Sequence, residues 1–196
     1  DRVLRMALPG PDPTLFGDGV NMRDITSIAA VVMLGAAALW WGTDGLTAFT
    51  AESARRLEIA RNPRPLPAIT LENQRGALIS FQDLTGKVVL LDFVYTRCPT
   101  ICTTLGSVFE RLRTEIEKAT LGQRIALLTL SFDPEHDGPE QLTEYADRFG
   151  GADEIWTFAR TPSPDETRTL LRWAEVTVVP DGEGGFVHNS AIHVID

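Results

Sequence analysis

Six of the eight residues in Lys87-Val88-Val89-Leu90-Leu91-Asp92-Phe93-Val94 are apolar, and the run passes through Tyr95-Thr96-Arg97 straight into Cys98-Pro99-Thr100-Ile101-Cys102. A strand this apolar, without alternation, is covered on both faces, as central strands of α/β sheets are. A helical pattern follows from about residue 103 to 118. A helix brings positions i and i+4 onto one face, so both sulfurs are expected to point at one spot. The helix N-terminus favours negative charge, which is expected to lower a thiol pKa and yield accessible thiolates. These are the only two cysteines of the 196 residues. Paired thiolates serve redox exchange or capture of a soft metal, and the plain alternative is a structural disulfide or two buried thiols. Pro99 reads as a first-turn proline that presets the helix backbone.

The pattern around this junction alternates strand and helix. A hairpin is expected from residues 68–71 and 77–81, turning around 72–76. A buried strand over 124–131 precedes a helix from Pro139-Glu140 to about residue 149, since proline suits a first helical turn. A short strand over 155–158 leads to a helix over 164–174, with Asp165 and Glu166 in its first turn. Strands over 176–179 and 186–195 flank the turn Pro180-Asp181-Gly182-Glu183-Gly184-Gly185. Strands joined by crossover helices and closed by an antiparallel hairpin predict a three-layer α/β fold with a central mixed sheet.

The N-terminal part is different. Between Asp24 and Asp44 no residue is charged, and residues 25–42 are almost wholly apolar, ending at Trp40-Trp41. That length suffices for one transmembrane helix, and tryptophans mark membrane interfaces. A cleaved signal peptide, with Ala36-Ala37-Ala38 as the processing site, and a buried soluble helix are the competing readings. Arg2, Arg5 and Arg23 precede the span and Arg55, Arg56 and Arg61 follow it, so charge does not orient it. The expected organisation is a disordered segment (1–23), an anchor (24–44), a tether (45–67) stiffened by Pro63, Pro65 and Pro67, and a globular domain (68–196). Because a closing strand and helix would be expected after Val194-Ile195-Asp196, the domain reads as truncated. A formal net charge of -9 argues against nucleic acid as a partner.

Three motifs carry a family likeness. The run YTRCPTIC resembles the Sco/SenC family of copper-binding, thioredoxin-like proteins that help assemble cytochrome c oxidase. Ser131-Phe132-Asp133-Pro134-Glu135-His136-Asp137-Gly138-Pro139-Glu140 is similar to its S-x-D-P-x-x-D-x-P-E segment. Phe186-Val187-His188-Asn189-Ser190 is similar to its strand with a single ligand histidine. Thr103 stands where the family usually has proline, and Asn189 separates the histidine from a serine that many members have next to it.

The resemblance implies a copper ion held by Cys98, Cys102 and His188, a soft three-donor set suited to Cu(I). His136 reads as a solvated or loop-stabilising residue. His193, five residues from His188, would point to the other face of a continuous strand. Asp133 is a turn former or a residue that steadies the metal loop. Arg97 either lowers the Cys98 thiol pKa or lies on the surface, and Asp92 is a buried carboxyl that accepts a proton or is bonded in the core. The implied function is a membrane-anchored copper metallochaperone on the extracytoplasmic side. It would receive copper from an upstream donor and pass it to the copper A subunit of cytochrome c oxidase. A disulfide between the two cysteines would offer no thiolate. The alternatives are a thiol–disulfide oxidoreductase that keeps the oxidase cysteines reduced, and a redox or copper sensor.

Overall fold

Residues 21–47, 50–98, 101–189 and 191–196 are described by a computed structural model, in which the chain divides into two units, Asp1–Pro63 and Arg64–Asp196. Most of the expected N-terminal segment (residues 1–20) and the first-turn proline Pro99 lie outside the described residues.

In the first unit α1 (Met22–Gly42) takes in Met22 and Arg23, and the Asp24 carboxylate accepts from the Asn21 backbone N–H at its start. None of its residues is buried. At 1.5 Å per residue, 21 residues reach about 31 Å, the thickness of a bilayer's hydrocarbon layer. By length and composition it is a candidate membrane span. The second helix, α2 (Ala51–Arg61), starts where the Thr50 hydroxyl accepts from Ser53 N–H, and Arg61 pairs with Asp44.

The second unit is built on a six-stranded sheet in the order β2 (Leu78–Ser80), β1 (Thr70–Asn73), β5 (Trp156–Arg160), β4 (Ile125–Ser131), β3 (Val88–Val94) and β8 (His193–Ile195). Its first hairpin, β1 (Thr70–Asn73) and β2 (Leu78–Ser80), turns where the Asn73 side chain accepts from the Arg75 and Ala77 N–H groups. The apolar run becomes β3 (Val88–Val94), paired parallel to β4 (Ile125–Ser131) from Val88↔Ile125 to Val94↔Ser131. Next to β4 lies β5 (Trp156–Arg160), also parallel. Parallel neighbours need crossovers, and α3 (Ile101–Lys118) and α4 (Pro139–Asp147) supply them. The last helix, α5 (Pro164–Ala174), has the bounds read from the sequence, and its N-terminus is capped by Ser163. Phe109 of α3 packs on Trp156 at 5.8 Å, and Tyr145 of α4 on Phe158 at 6.1 Å, so aromatic rings bond both crossovers to the sheet. The mixed α/β architecture agrees with the expectation from sequence.

Three residues before the hairpin also belong to this unit. Trp173 donates its indole N–H to the Pro65 carbonyl at 2.9 Å, Arg64 pairs with Glu175, and Leu66 packs against the core.

One expectation fails. The single strand over 186–195 is two strands in different sheets. In a separate ribbon β6 (Val178–Pro180) pairs with β7 (Phe186–His188), whereas β8 (His193–Ile195) joins the main sheet antiparallel to β3. The Asn189 side chain accepts from Thr177 N–H at 2.7 Å and donates to the Glu175 carbonyl at 3.2 Å, which holds the end of β7 to the ribbon. Counting strand faces between His188 and His193 therefore has no basis. His193 instead pairs with Leu91 and meets the Phe93 ring edge-on at 5.5 Å.

Candidate metal centre

Parallel strands deliver their C-terminal ends to one edge of the sheet. β3 runs into the cysteine loop there, and β4 runs into the loop of Asp133 and Asp137, so the two loops meet. Asp137 is fully buried and accepts from the Thr96 N–H at 2.9 Å, the Thr96 hydroxyl at 2.6 Å and the Ser131 hydroxyl. It fastens the residues just before Cys98 to the end of β4. The N-cap of α4 is the next residue, Gly138. Asp133, the residue expected to steady the loop, accepts from Arg97 at 2.7 Å and pairs with His136 at 2.9 Å. Arg97 is thus spent on Asp133, and His136 stabilises its own loop.

Cys98 lies ahead of α3 in a turn where its N–H bonds the Tyr95 carbonyl, and Cys102 sits in the first turn of the helix. The two sulfurs are therefore not brought together as i and i+4 of one helix. The Cys102 N–H instead points at the Cys98 sulfur at 3.4 Å, so a helix-end donor faces the first thiol. A second anchor, missed from sequence, is Tyr145, whose hydroxyl donates to the Cys102 carbonyl at 3.0 Å. Among the described residues no disulfide is present.

The expected accessible thiolates are corrected here. Cys98 is 5% exposed and Cys102 1%. Burial, and then the neighbouring Cys98, push the Cys102 thiol well above its ordinary pKa. Asp92, fully buried on β3, is pushed up to about 7 by burial. Among the described residues neither of its carboxyl oxygens has a hydrogen-bond partner; the Thr129 hydroxyl beside it offsets part of the shift without reaching bonding geometry.

His188 comes to the same place from β7. Its Nε2 lies 3.8 Å from the Cys102 sulfur, and its Nδ1 lies 3.2 Å from the Asn189 carbonyl. A carbonyl only accepts, so Nδ1 carries the proton and Nε2 presents a lone pair to the sulfur. Burial lowers the pKa of the ring, which keeps it neutral. With metal–sulfur and metal–nitrogen bonds of about 2.3 and 2.0–2.1 Å, as at zinc, donors about 110–120° apart around one ion stand roughly 3.5–3.8 Å from each other. The Cys102–His188 pair has that separation. Among the described residues no three Cys, His, Asp or Glu side chains are already closed around a point. Of the three histidines, His188 is the one seen against a cysteine sulfur among the contacts of the described residues.

A dithiol at the junction of a central strand and a helix, on a mixed α/β sheet, with an imidazole approaching from a separate hairpin, defines a thioredoxin-like protein in which a thiol and an imidazole meet beside the sheet. The family model described as SCO1/SenC matches residues 63–196, and the chain belongs to that family. It is similar to the SCO1 protein homolog of Bacillus subtilis, at 30% identity over 64% of this chain and 65% of the relative. Among solved structures it is similar to a SCO1/SenC family lipoprotein from Bacillus anthracis, with a TM-score of 0.61 at 25% identity over 67% of this chain and 77% of that one. It is also similar to Bradyrhizobium japonicum ScoI with copper bound, with a TM-score of 0.54 at 27% identity over 66% and 82% of the two chains. The chain spans less than two thirds of the length of the curated relatives it matches.

Proposed function

We propose that this protein is a membrane-anchored copper carrier that binds copper through Cys98, Cys102 and His188 and delivers it to the copper A site of cytochrome c oxidase. The single observation that carries the reading is the approach of His188 Nε2 to the Cys102 sulfur at 3.8 Å, in the tautomer that leaves a lone pair for a metal. Two thiolates and a neutral imidazole are a donor set for a soft ion. The copper-bound relative and membership of a family of oxidase assembly proteins support copper as the ion and the oxidase as the recipient.

The chemistry follows from burial. Cys102 keeps its proton in the metal-free protein because charge there is costly. An entering cation offsets that cost, so binding expels the thiol proton. Cys98, its sulfur beside the Cys102 N–H, turns in as the second sulfur donor. Release proceeds by exchange, with incoming thiolates of the recipient displacing the donors one at a time. The apolar helix α1 serves as the anchor, residues beyond Gly42 as the linker, and the unit from Arg64 onward as the copper domain on the extracytoplasmic side.

Asp92 favours a second reading, thiol–disulfide exchange, because a buried carboxyl at about 7 close to Cys102 suits proton transfer to and from a thiol. One variant separates the two. In His188→Ala the carrier predicts reduced copper retention and reduced oxidase assembly with disulfide reductase activity intact. Unchanged copper retention in that variant refutes the carrier reading.

A further inference from the structure

His188 does not belong to the sheet that carries the cysteines. Among the described residues the β6–β7 ribbon shares no ladder hydrogen bond with the six-stranded sheet, so something else must set how near the imidazole stands to the thiols. At its far end the ribbon is held by Asn189, but that residue bonds Thr177 and Glu175, the connection leading into the ribbon itself. On the cysteine side, besides His188 itself, the ribbon meets Tyr95, three residues before Cys98. Its hydroxyl donates to the Phe186 carbonyl and accepts from the Phe186 N–H, both at 3.3 Å.

Phe186 has these groups to give. It faces Pro180 across the ribbon, and proline has no N–H to offer in return. In an antiparallel pair, residues whose groups do not bond across the ladder turn them outward. Tyr95 takes both, as a third strand would.

The surroundings are shaped for that contact. Tyr95 is buried and meets the Phe186 ring edge-on at 5.3 Å and the Phe132 ring at 5.4 Å. Phe132 in turn meets the His188 ring at 5.0 Å. Gly185 lies under the hydroxyl: a Cβ there would stand 3.2 Å from the Tyr95 oxygen and 2.5 Å from Asp181. The Tyr95 carbonyl accepts from the Cys98 N–H at 3.1 Å. One residue therefore touches the strand that carries His188 and the loop that carries Cys98.

We propose that the Tyr95 hydroxyl is the latch that seats the histidine-bearing ribbon on the cysteine loop, which makes Tyr95 a positioning residue for His188. This rests on the copper-carrier reading for its consequence but not for its structural content. The latch turns two elements that share no backbone pairing into one site, and it fixes the reach of the imidazole without touching the metal.

Tyr95→Phe keeps the ring and removes only the hydroxyl, so it tests the latch directly. In the reduced, metal-free full chain the exchange of the Phe186 amide is measured first. The latch predicts at least roughly tenfold faster exchange in the variant, from the loss of the hydrogen bond. Cu(I) affinity is then measured by competition with a chromophoric chelator in the wild type, Tyr95→Phe, His188→Ala and the double variant. The expected loss is about tenfold for Tyr95→Phe alone and less than about twofold when His188 is already alanine, because the hydroxyl acts through the imidazole. Unchanged Phe186 exchange overturns the latch whatever copper does. Equal losses in both backgrounds also overturn it, because the phenol would then act on Cys98 directly. Copper affinity unaffected by His188→Ala would instead overturn the ligand assignment, and with it the role of the latch in copper binding, while the exchange result would still stand.

Discussion

Asp92→Asn isolates the one carboxyl in the described core whose oxygens both lack a partner. In the folded protein Asp92 holds its proton up to about pH 7, whereas its ordinary pKa is 3.8. Between those values the native state binds more protons than the unfolded chain, so raising the pH destabilises the fold. The loss is about 1.4 kcal/mol per pH unit, or roughly 4 kcal/mol across the window. Cys102 and Tyr145, the titratable groups that act electrostatically on this region, stay neutral there, since burial pushes both upward. Asparagine has no proton to lose. Urea unfolding of the reduced protein at intervals from pH 4 to pH 8 should give a stability difference between variant and wild type that grows in favour of the variant by about 4 kcal/mol, mostly below pH 7. Contributions from all other groups cancel in that difference. Parallel profiles for the two proteins would show that Asp92 is ionised and solvated in the native state, and the reasoning from burial would be wrong.

Three further outcomes follow from the same geometry. Gly106→Ala places a Cβ 2.3 Å from the Phe149 ring, so thermal unfolding should show about 1–3 kcal/mol of destabilisation from overpacking of α3. A neutral result would mean the helix shifts freely. Asp137→Ala leaves the Thr96 N–H and the Thr96 and Ser131 hydroxyls without their shared acceptor, and should cost roughly 3 kcal/mol in denaturant unfolding; a loss below about 1 kcal/mol would show that the loop is held elsewhere. Copper affinity should rise with pH through the neutral range, because the metal must displace the proton that burial holds on Cys102. A flat profile in a competition titration would place that thiol already ionised.

The framework of this fold was legible where the signal is local. The apolar run of β3, the proline that opens α4 and the acidic first turn of α5 each report their element from within a few residues. The approach of His188 to Cys102 was legible through the motifs rather than through any spacing rule. The rest depended on partners distant in sequence. Asp137 lies 41 residues from Thr96, Tyr145 43 from Cys102, and Tyr95 91 from Phe186, so no window contains any of the three pairs. The break between β7 and β8 was hidden because no glycine or proline marks it; what divides them is the Asn189 side chain bonding back to Thr177 and Glu175. The ionisation of Cys102 was misread for a related reason. A helix terminus is a sequence feature, but burial to 1% exposure is a property of the assembled site.

The most direct test is X-ray absorption at the copper edge on the reduced full chain loaded with one equivalent of Cu(I). The account predicts two sulfur donors and one imidazole nitrogen around the ion, with the nitrogen lost in His188→Ala. A sulfur-only shell in the wild type, or an imidazole signal that persists in that variant, would contradict it.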